Sequence, residues 1–293
     1  MKKITLISLM AAALLSTGCL SSSRIVTVGN NVAKTGVSVT EELLKCYDLM
    51  GDQSRVDKDQ QDLVRLLSYP NAKLIQLPAT KGRELRTLPS KRSAFESLLS
   101  VYSSFQTLTG GGYKDGVYSA TSSLIASYSS ISKLPGLSST VQNILPGGAS
   151  ELTLYIQSNK IKEQNIALSK LSSMYLELWK KDLPIWKDYV NRIYSDYSNA
   201  ISNIPNARFD PRAVKQMIDA PYTGNYLISY YKLKVRNDAA RKIADINGEL
   251  DGTTYAFESL VKSHGTLSQD PVSLPAVTAI LESIDNVLGK FKK

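Results

Sequence analysis

The sequence predicts an all-α protein, an elongated helical bundle built on two long antiparallel helices. Apolar side chains recur mainly at three- and four-residue steps, or sevens, over residues 151–203 and again over 225–264. No segment alternates apolar and polar residues with the period of two that a half-buried strand requires. Turn signals such as Gly110-Gly111-Gly112 and Pro146-Gly147-Gly148 separate the periodic stretches.

Taken in chain order, Ser38-Val39-Thr40-Glu41 fits a capping box, in which hydroxyl and carboxylate satisfy the free backbone donors of a helix start. A helix is expected over 39–67, with a bend at Gly51, ending before Pro70. Residues 69–89 contain three prolines and no sustained period, which predicts an extended connection. Ser90 can cap a second helix whose apolar face is Phe95, Leu98, Leu99, Tyr102 and Phe105, closed by the three glycines. Residues 117–134 pair a Ser-rich face with an apolar one at Leu124, Ile125, Tyr128 and Ile131, and a short helix follows between Pro135-Gly136 and Pro146.

The stretch 151–203 would extend roughly 80 Å as one helix, with a kink one turn before Pro184. Asp210-Pro211 supplies a cap and a first-turn proline for a short helix to about Ile218. The second long stripe passes through Ile228, Tyr231, Val235, Ala239, Ile246, Leu250 and Phe257, weakened at Gly248 and Gly252. An antiparallel hairpin of the two would place the neighbourhood of Val190 beside that of Val235. After Pro271 and Pro275 a last helix carries Val277, Ile280, Leu281, Ile284 and Leu288 to a lysine-rich end that suits its C-terminal dipole.

The first residues follow a different logic. Met1-Lys2-Lys3 precedes an uncharged run with about twelve firmly apolar residues, then Ser16-Thr17-Gly18-Cys19. That is the order of a secretory signal: positive, apolar, small. The apolar run is too short for a comfortable membrane span. Leu15-Ser16-Thr17-Gly18-Cys19 resembles the lipobox of bacterial lipoproteins, with the aliphatic residue at Leu15, one place further from the cysteine than usual. The resemblance covers residues 1–20 and implies cleavage before Cys19, acylation of that cysteine, and anchoring in a lipid bilayer. Leu20, where an Asp would favour inner-membrane retention, implies the outer membrane, facing the periplasm. The expected organisation is therefore a signal at 1–18, a lipidated flexible tether at 19–37, rich in Ser, Val, Asn and Gly, and a single helical domain at 38–293.

Of 35 basic and 26 acidic side chains, Lys2 and Lys3 leave with the signal, so the remaining 275 residues carry +7. A modest positive balance on an exported protein suits anionic lipid or cell-wall polymer. The cations are spread along the chain rather than gathered with aromatics, which argues against nucleic acid; the densest cluster, Lys81, Arg83, Arg86, Lys91 and Arg92, reads as a solvated loop. Once Cys19 is acylated, Cys46 is the one thiol left and no internal disulfide can form. Between Leu43, Leu44 and Met50 it reads as a small buried hydrophobe.

Catalytic and metal-binding signatures are sparse, and no metal or cofactor is expected. The single histidine, His264, sits beside Gly265 at what reads as a frayed helix end, without a second His or Cys at ligand spacing. Three Ser-x-x-Lys pairs occur (Ser130 with Lys133, Ser229 with Lys232, Ser259 with Lys262), about the number that 37 Ser and 24 Lys in 293 positions generate at random. Lys34-Thr35-Gly36 precedes all of them, the reverse of the order in cell-wall acyltransferases. The sixteen tyrosines are more suggestive. Tyr194, Tyr197, Tyr222, Tyr226 and Tyr230 crowd the junction between the two long stripes, with Arg208 and Arg212 beside them, the residue types of binding hot spots. The reading that follows is a non-enzymatic binding or scaffold lipoprotein for a protein or envelope partner. Its rivals are an immunity lipoprotein that neutralises a toxin, a membrane-active helical protein, and an envelope hydrolase with a scattered active site.

Overall fold

The computed structural model describes residues 2–68, 87–110, 154–268 and 273–290, with side chains described from Arg24 in the first helix and Ile161 in the third. Among these residues the protein is all-α: α1 (Lys2–Ser68), α2 (Leu88–Gly110), α3 (Leu154–Asn203), α4 (Pro211–Met217), α5 (Gly224–Leu267) and α6 (Leu274–Leu288), with a 3₁₀ turn at Asn206–Arg208 and no strand. The expected extended connection up to residue 86, with Lys81, Arg83 and Arg86, and the expected helices within 111–153 lie outside the described residues.

The chain divides into two compact units, one formed by residues 1–44, 90–179 and 252–293, the other by 45–89 and 180–251. In the first unit the helical stripe of α2 places Ala94, Phe95, Leu98, Val101, Tyr102, Phe105 and Leu108 in the core. Phe95 lies at its centre, edge-on to Tyr175 at 5.0 Å between ring centroids, with Trp179 at 6.4 Å and Phe257 at 6.3 Å. Each such side chain removed from water contributes about 1.5–3 kcal/mol. Two of these rings satisfy their polar tips: Tyr175 donates to the Ala94 carbonyl at 3.0 Å and the Trp179 indole to Thr254 Oγ1 at 2.8 Å.

Two expectations for the N-terminal region are corrected. Residues 24–37, expected within a flexible tether, are continuous helix, and Val28, Val32, Ala33 and Thr35 are buried. Small residues make this packing possible: a Cβ on Gly29 would lie 3.0 Å from Ile161 Cγ2, and one on Gly36 only 2.1 Å from the Tyr102 ring. Gly29, Ala33 and Gly36, four and three residues apart, thus form a seam on which α2 and α3 close. Ser38-Val39-Thr40-Glu41 is not a helix start but lies in the interior of α1, where Thr40 donates to the Gly36 carbonyl at 2.7 Å.

In the second unit Tyr47 packs edge-on against Trp186 at 4.8 Å, beside the buried Cys46 and Met50. The chain between the long helices forms a second core from Ile204, Phe209, Val214, Ile218 and Ala220 against Ile201, Leu227, Ile228, Tyr231 and Val235. Asp210 caps α4 as expected, accepting from the Arg212 backbone N–H at 2.9 Å ahead of Pro211. Gly224, at φ +52°, makes the left-handed turn into α5.

The two long helices are antiparallel in both units. In the second, Lys187 pairs with Asp251, Asn191 with Asn247, and Lys232 with the carbonyls of Ser202 and Ile204 at the end of α3. In the first, Trp179 meets Thr254 and Asn165 meets His264. The register differs from the expected meeting of Val190 with Val235, because α5 begins two turns beyond the end of α3, so that Lys232 and not Gly224 lies beside that end. Lys232 there complements the helix dipole and stands 5.4 Å above the Phe209 ring. In a Cys19→Ser, Cys46→Ser background, Asn191→Cys with Asn247→Cys should crosslink with a short reagent. Asn191→Cys with Arg236→Cys should not, since eleven residues of helix are roughly 16 Å. The opposite pattern would refute this register.

Candidate binding surface and a buried histidine network

The tyrosines singled out at the helix junction separate into two groups within the second unit. Tyr194 is buried and donates from its hydroxyl to Gln53 Oε1 at 2.8 Å; Tyr197 is partly buried and shares a hydrogen bond with Tyr231. Burial pushes both phenols above their ordinary pKa. Together with Ile218, Tyr231, Val235 and Ala239 they line a groove of about 250 Å³. Its rim bears Lys234, Asp238 and Lys242, and Asp238 is held by Lys234 at 3.0 Å and by Arg241 at 2.8 Å.

The second group faces solvent. Tyr226 is 81 % exposed, and Tyr222 and Tyr230 pack with ring centroids 5.0 Å apart and planes tilted by 44°. Arg208 and Arg212 are exposed on the 3₁₀ turn and the first turn of α4. On α5 the buried positions Leu227, Ile228, Tyr231 and Val235 form one stripe, while Tyr226, Tyr230 and Leu233, four and three residues apart, form another on the solvent side. Leu233, at 44 % exposure, belongs to this outer surface, and Met217, at 54 %, is exposed at the edge of the groove; neither was anticipated from sequence. The signal was present as a second three- and four-residue spacing, out of phase with the core stripe.

His264 is not at a frayed end. It is fully buried in the first unit, where its Nδ1 lies 2.6 Å from Asn165 Oδ1 and its Nε2 lies 2.8 Å from the Tyr102 hydroxyl. Tyr102 in turn meets Ser172 Oγ at 2.7 Å, and Asn165 Nδ2 donates to the His264 carbonyl at 2.9 Å and to Ser268 Oγ at 2.7 Å. One proton arrangement satisfies every member: Nδ1–H donates to Asn165, the Tyr102 hydroxyl to Nε2, and the Ser172 hydroxyl to the phenol oxygen. Burial lowers the His264 pKa from 6.5 to about 3 and raises that of Tyr102, which holds both groups neutral.

Ser172, Tyr102 and His264 have the residue types of a nucleophile and base relay, but Ser172 and His264 are wholly buried and line neither the junction groove nor the groove beside Lys34 and Asp285. Both ring nitrogens of His264 are already bonded, so neither is left for the Cys46 thiol. The network therefore acts on the fold, locking the registers of α2, α3 and α5. Of the Ser-x-x-Lys pairs, Ser130 and Lys133 lie outside the described residues, Ser229 is exposed, and Lys232 caps α3. No group of three or more His, Cys, Asp or Glu among the described residues is arranged to hold a metal ion. Cys19 falls in the part of α1 whose side chains are not described. Comparison of the chain with protein-family models, with curated proteins and with solved structures finds no match.

Proposed function

We propose that this chain is a lipoprotein, acylated at Cys19 and facing the periplasm from the outer membrane, that works by binding a partner through the exposed side of its tyrosine-rich junction. The observation that carries the binding role is the solvent-facing group of Tyr222, Tyr226, Tyr230, Met217 and Leu233 on one connection and its following helix. Large apolar side chains gathered in one place on a surface mark interaction sites, whereas isolated ones do not. Leu15-Ser16-Thr17-Gly18-Cys19 supports the address. Nine residue steps separate Cys19 from Val28, the first buried residue of those described. As helix they would span roughly 14 Å. The first unit would then stand close to its bilayer on a helical stalk rather than on a loose tether.

A fatty-acid probe should label the wild type and not Cys19→Ser; equal labelling of both would overturn the anchoring. Tyr226→Ala should reduce partner capture from envelope extracts severalfold while leaving helicity unchanged, because this ring is 81 % exposed. Unchanged capture would overturn the assignment of the surface. His264→Ala is unsuitable as a neutral control, since that ring ties three helices together.

A further inference from the structure

We infer that the exposed face of the tyrosine-rich junction docks on a bilayer surface bearing anionic headgroups, which deepens the proposed binding role and rests on its assignment of the surface. Eight large hydrophobic residues among the described ones are exposed, and five of them fall between Met217 and Leu233. The five are of interfacial type. Tyr222, Tyr226 and Tyr230 each carry an apolar ring with a polar tip, as suits the headgroup level of a membrane; Leu233 adds apolar surface on the same face of α5, and Met217 adds it at the edge of the groove.

The surrounding charge is predominantly positive. Residues 208–242 contain eight basic and three acidic side chains, a balance of +5. Arg208, Arg212 and Arg236 make no ion pair with any described residue, whereas Lys242 lies on the rim of the groove and Asp238 is already neutralised by Lys234 and Arg241. Cations on the same connection and helix as the exposed tyrosines match a plane of phosphates, and guanidinium groups can bond phosphate oxygens bidentately. A protein partner would instead be drawn to the groove, but of the five only Met217 lines it, and the three exposed tyrosines and Leu233 do not. No helix among the described residues is long and apolar enough to cross a membrane, so the contact is peripheral.

The test uses the full chain with Cys19→Ser, which removes any acyl group, and Tyr226→Trp as reporter; the native Trp179 and Trp186 are buried and contribute a constant background. Vesicles of phosphatidylcholine alone are compared with vesicles containing about one-third phosphatidylglycerol. Anionic vesicles should shift the emission to the blue, and raised salt should reverse the shift. Arg212→Gln with Arg236→Gln should weaken partitioning roughly 25-fold, about fivefold for each cation. No shift with anionic vesicles, or equal partitioning into both kinds at every salt concentration, would overturn the inference. A shift with polyglutamate and none with vesicles would overturn it in favour of an acidic protein. If vesicles fail while Tyr226→Ala still abolishes capture of a protein, only the bilayer is excluded and the binding surface stands.

Discussion

Gly36→Ala is expected to destabilise the first unit by about 2–6 kcal/mol, whereas Gly248→Ala, a chemically identical change in another helix, should stabilise slightly. The added Cβ at position 36 would lie 2.1 Å from two carbons of the Tyr102 ring. The ring cannot easily swing aside, because its hydroxyl is held by Ser172 and His264 at the far end. Overpacking a core costs about 1–3 kcal/mol, and breaking a buried hydrogen bond without replacing it costs about 1–3 kcal/mol more. Their sum is a large part of the 5–15 kcal/mol that typically separates folded from unfolded states. At Gly248 no atom lies within 4 Å of the added Cβ, and the position is exposed in mid-helix. There alanine should gain roughly 0.5–1 kcal/mol through helix propensity. Thermal unfolding followed by helical circular dichroism should show a drop of roughly 10 °C or more for Gly36→Ala and a small rise for Gly248→Ala. Equal melting of Gly36→Ala and wild type would mean that α1 and α2 do not meet in this way.

The same glycine shows where the sequence was legible and where it was not. The long stripes of α3 and α5 announce themselves because Leu168, Leu171, Tyr175, Trp186, Val190 and Ile193, and Ile228, Tyr231, Val235 and Ala239, are large enough to reveal the helical period against polar neighbours. Residues 24–37 hide it. Their contact surface is Gly29, Ala33 and Gly36 flanked by β-branched Val28 and Val32, a composition that reads as loose chain when judged by propensity. Helix there depends on the close approach of neighbours remote in sequence, such as Ile161 and Tyr102, so local pattern cannot reveal it. Thr40 misled for a related reason: a hydroxyl able to cap a helix start is equally able to bond back to the carbonyl four residues earlier.

The binding surface was legible in composition but not in geometry. Tyr194 and Tyr197 belong to the helix stripe facing the core and the groove, while Tyr222, Tyr226 and Tyr230 face outward; residue type alone does not distinguish these roles. His264 was the larger misjudgement. Gly265 beside it suggested a helix ending in solvent, but α5 continues to Leu267 and Ser268 closes it by donating to the His264 carbonyl at 2.9 Å. The partners that bury the ring lie 99 and 162 residues away, at Asn165 and Tyr102.

That burial makes acid sensitivity a direct consequence of His264. Above pH 6.5 the imidazole is neutral in both folded and unfolded chains and its titration has no effect on stability. Between pH 6.5 and about 3 the unfolded chain takes up a proton that the folded protein refuses, so stability falls as the pH is lowered through this window. Below about pH 3 both states are protonated and this loss is complete. The full difference is on the order of 5 kcal/mol, comparable with the whole stability of many domains. The geometry explains the refusal, since a proton on Nε2 would set an N–H donor against the Tyr102 hydroxyl, whose own proton has no other acceptor than Ser172. His264→Gln removes the titration while keeping a side chain able to donate and accept. It should be less stable than wild type at pH 7 by about 2–3 kcal/mol through the imperfect replacement of buried hydrogen bonds. Between pH 7 and pH 4, however, its urea midpoint should move much less than that of the wild type. Parallel loss of stability in the two proteins over this interval would show that some other group governs the acid limb.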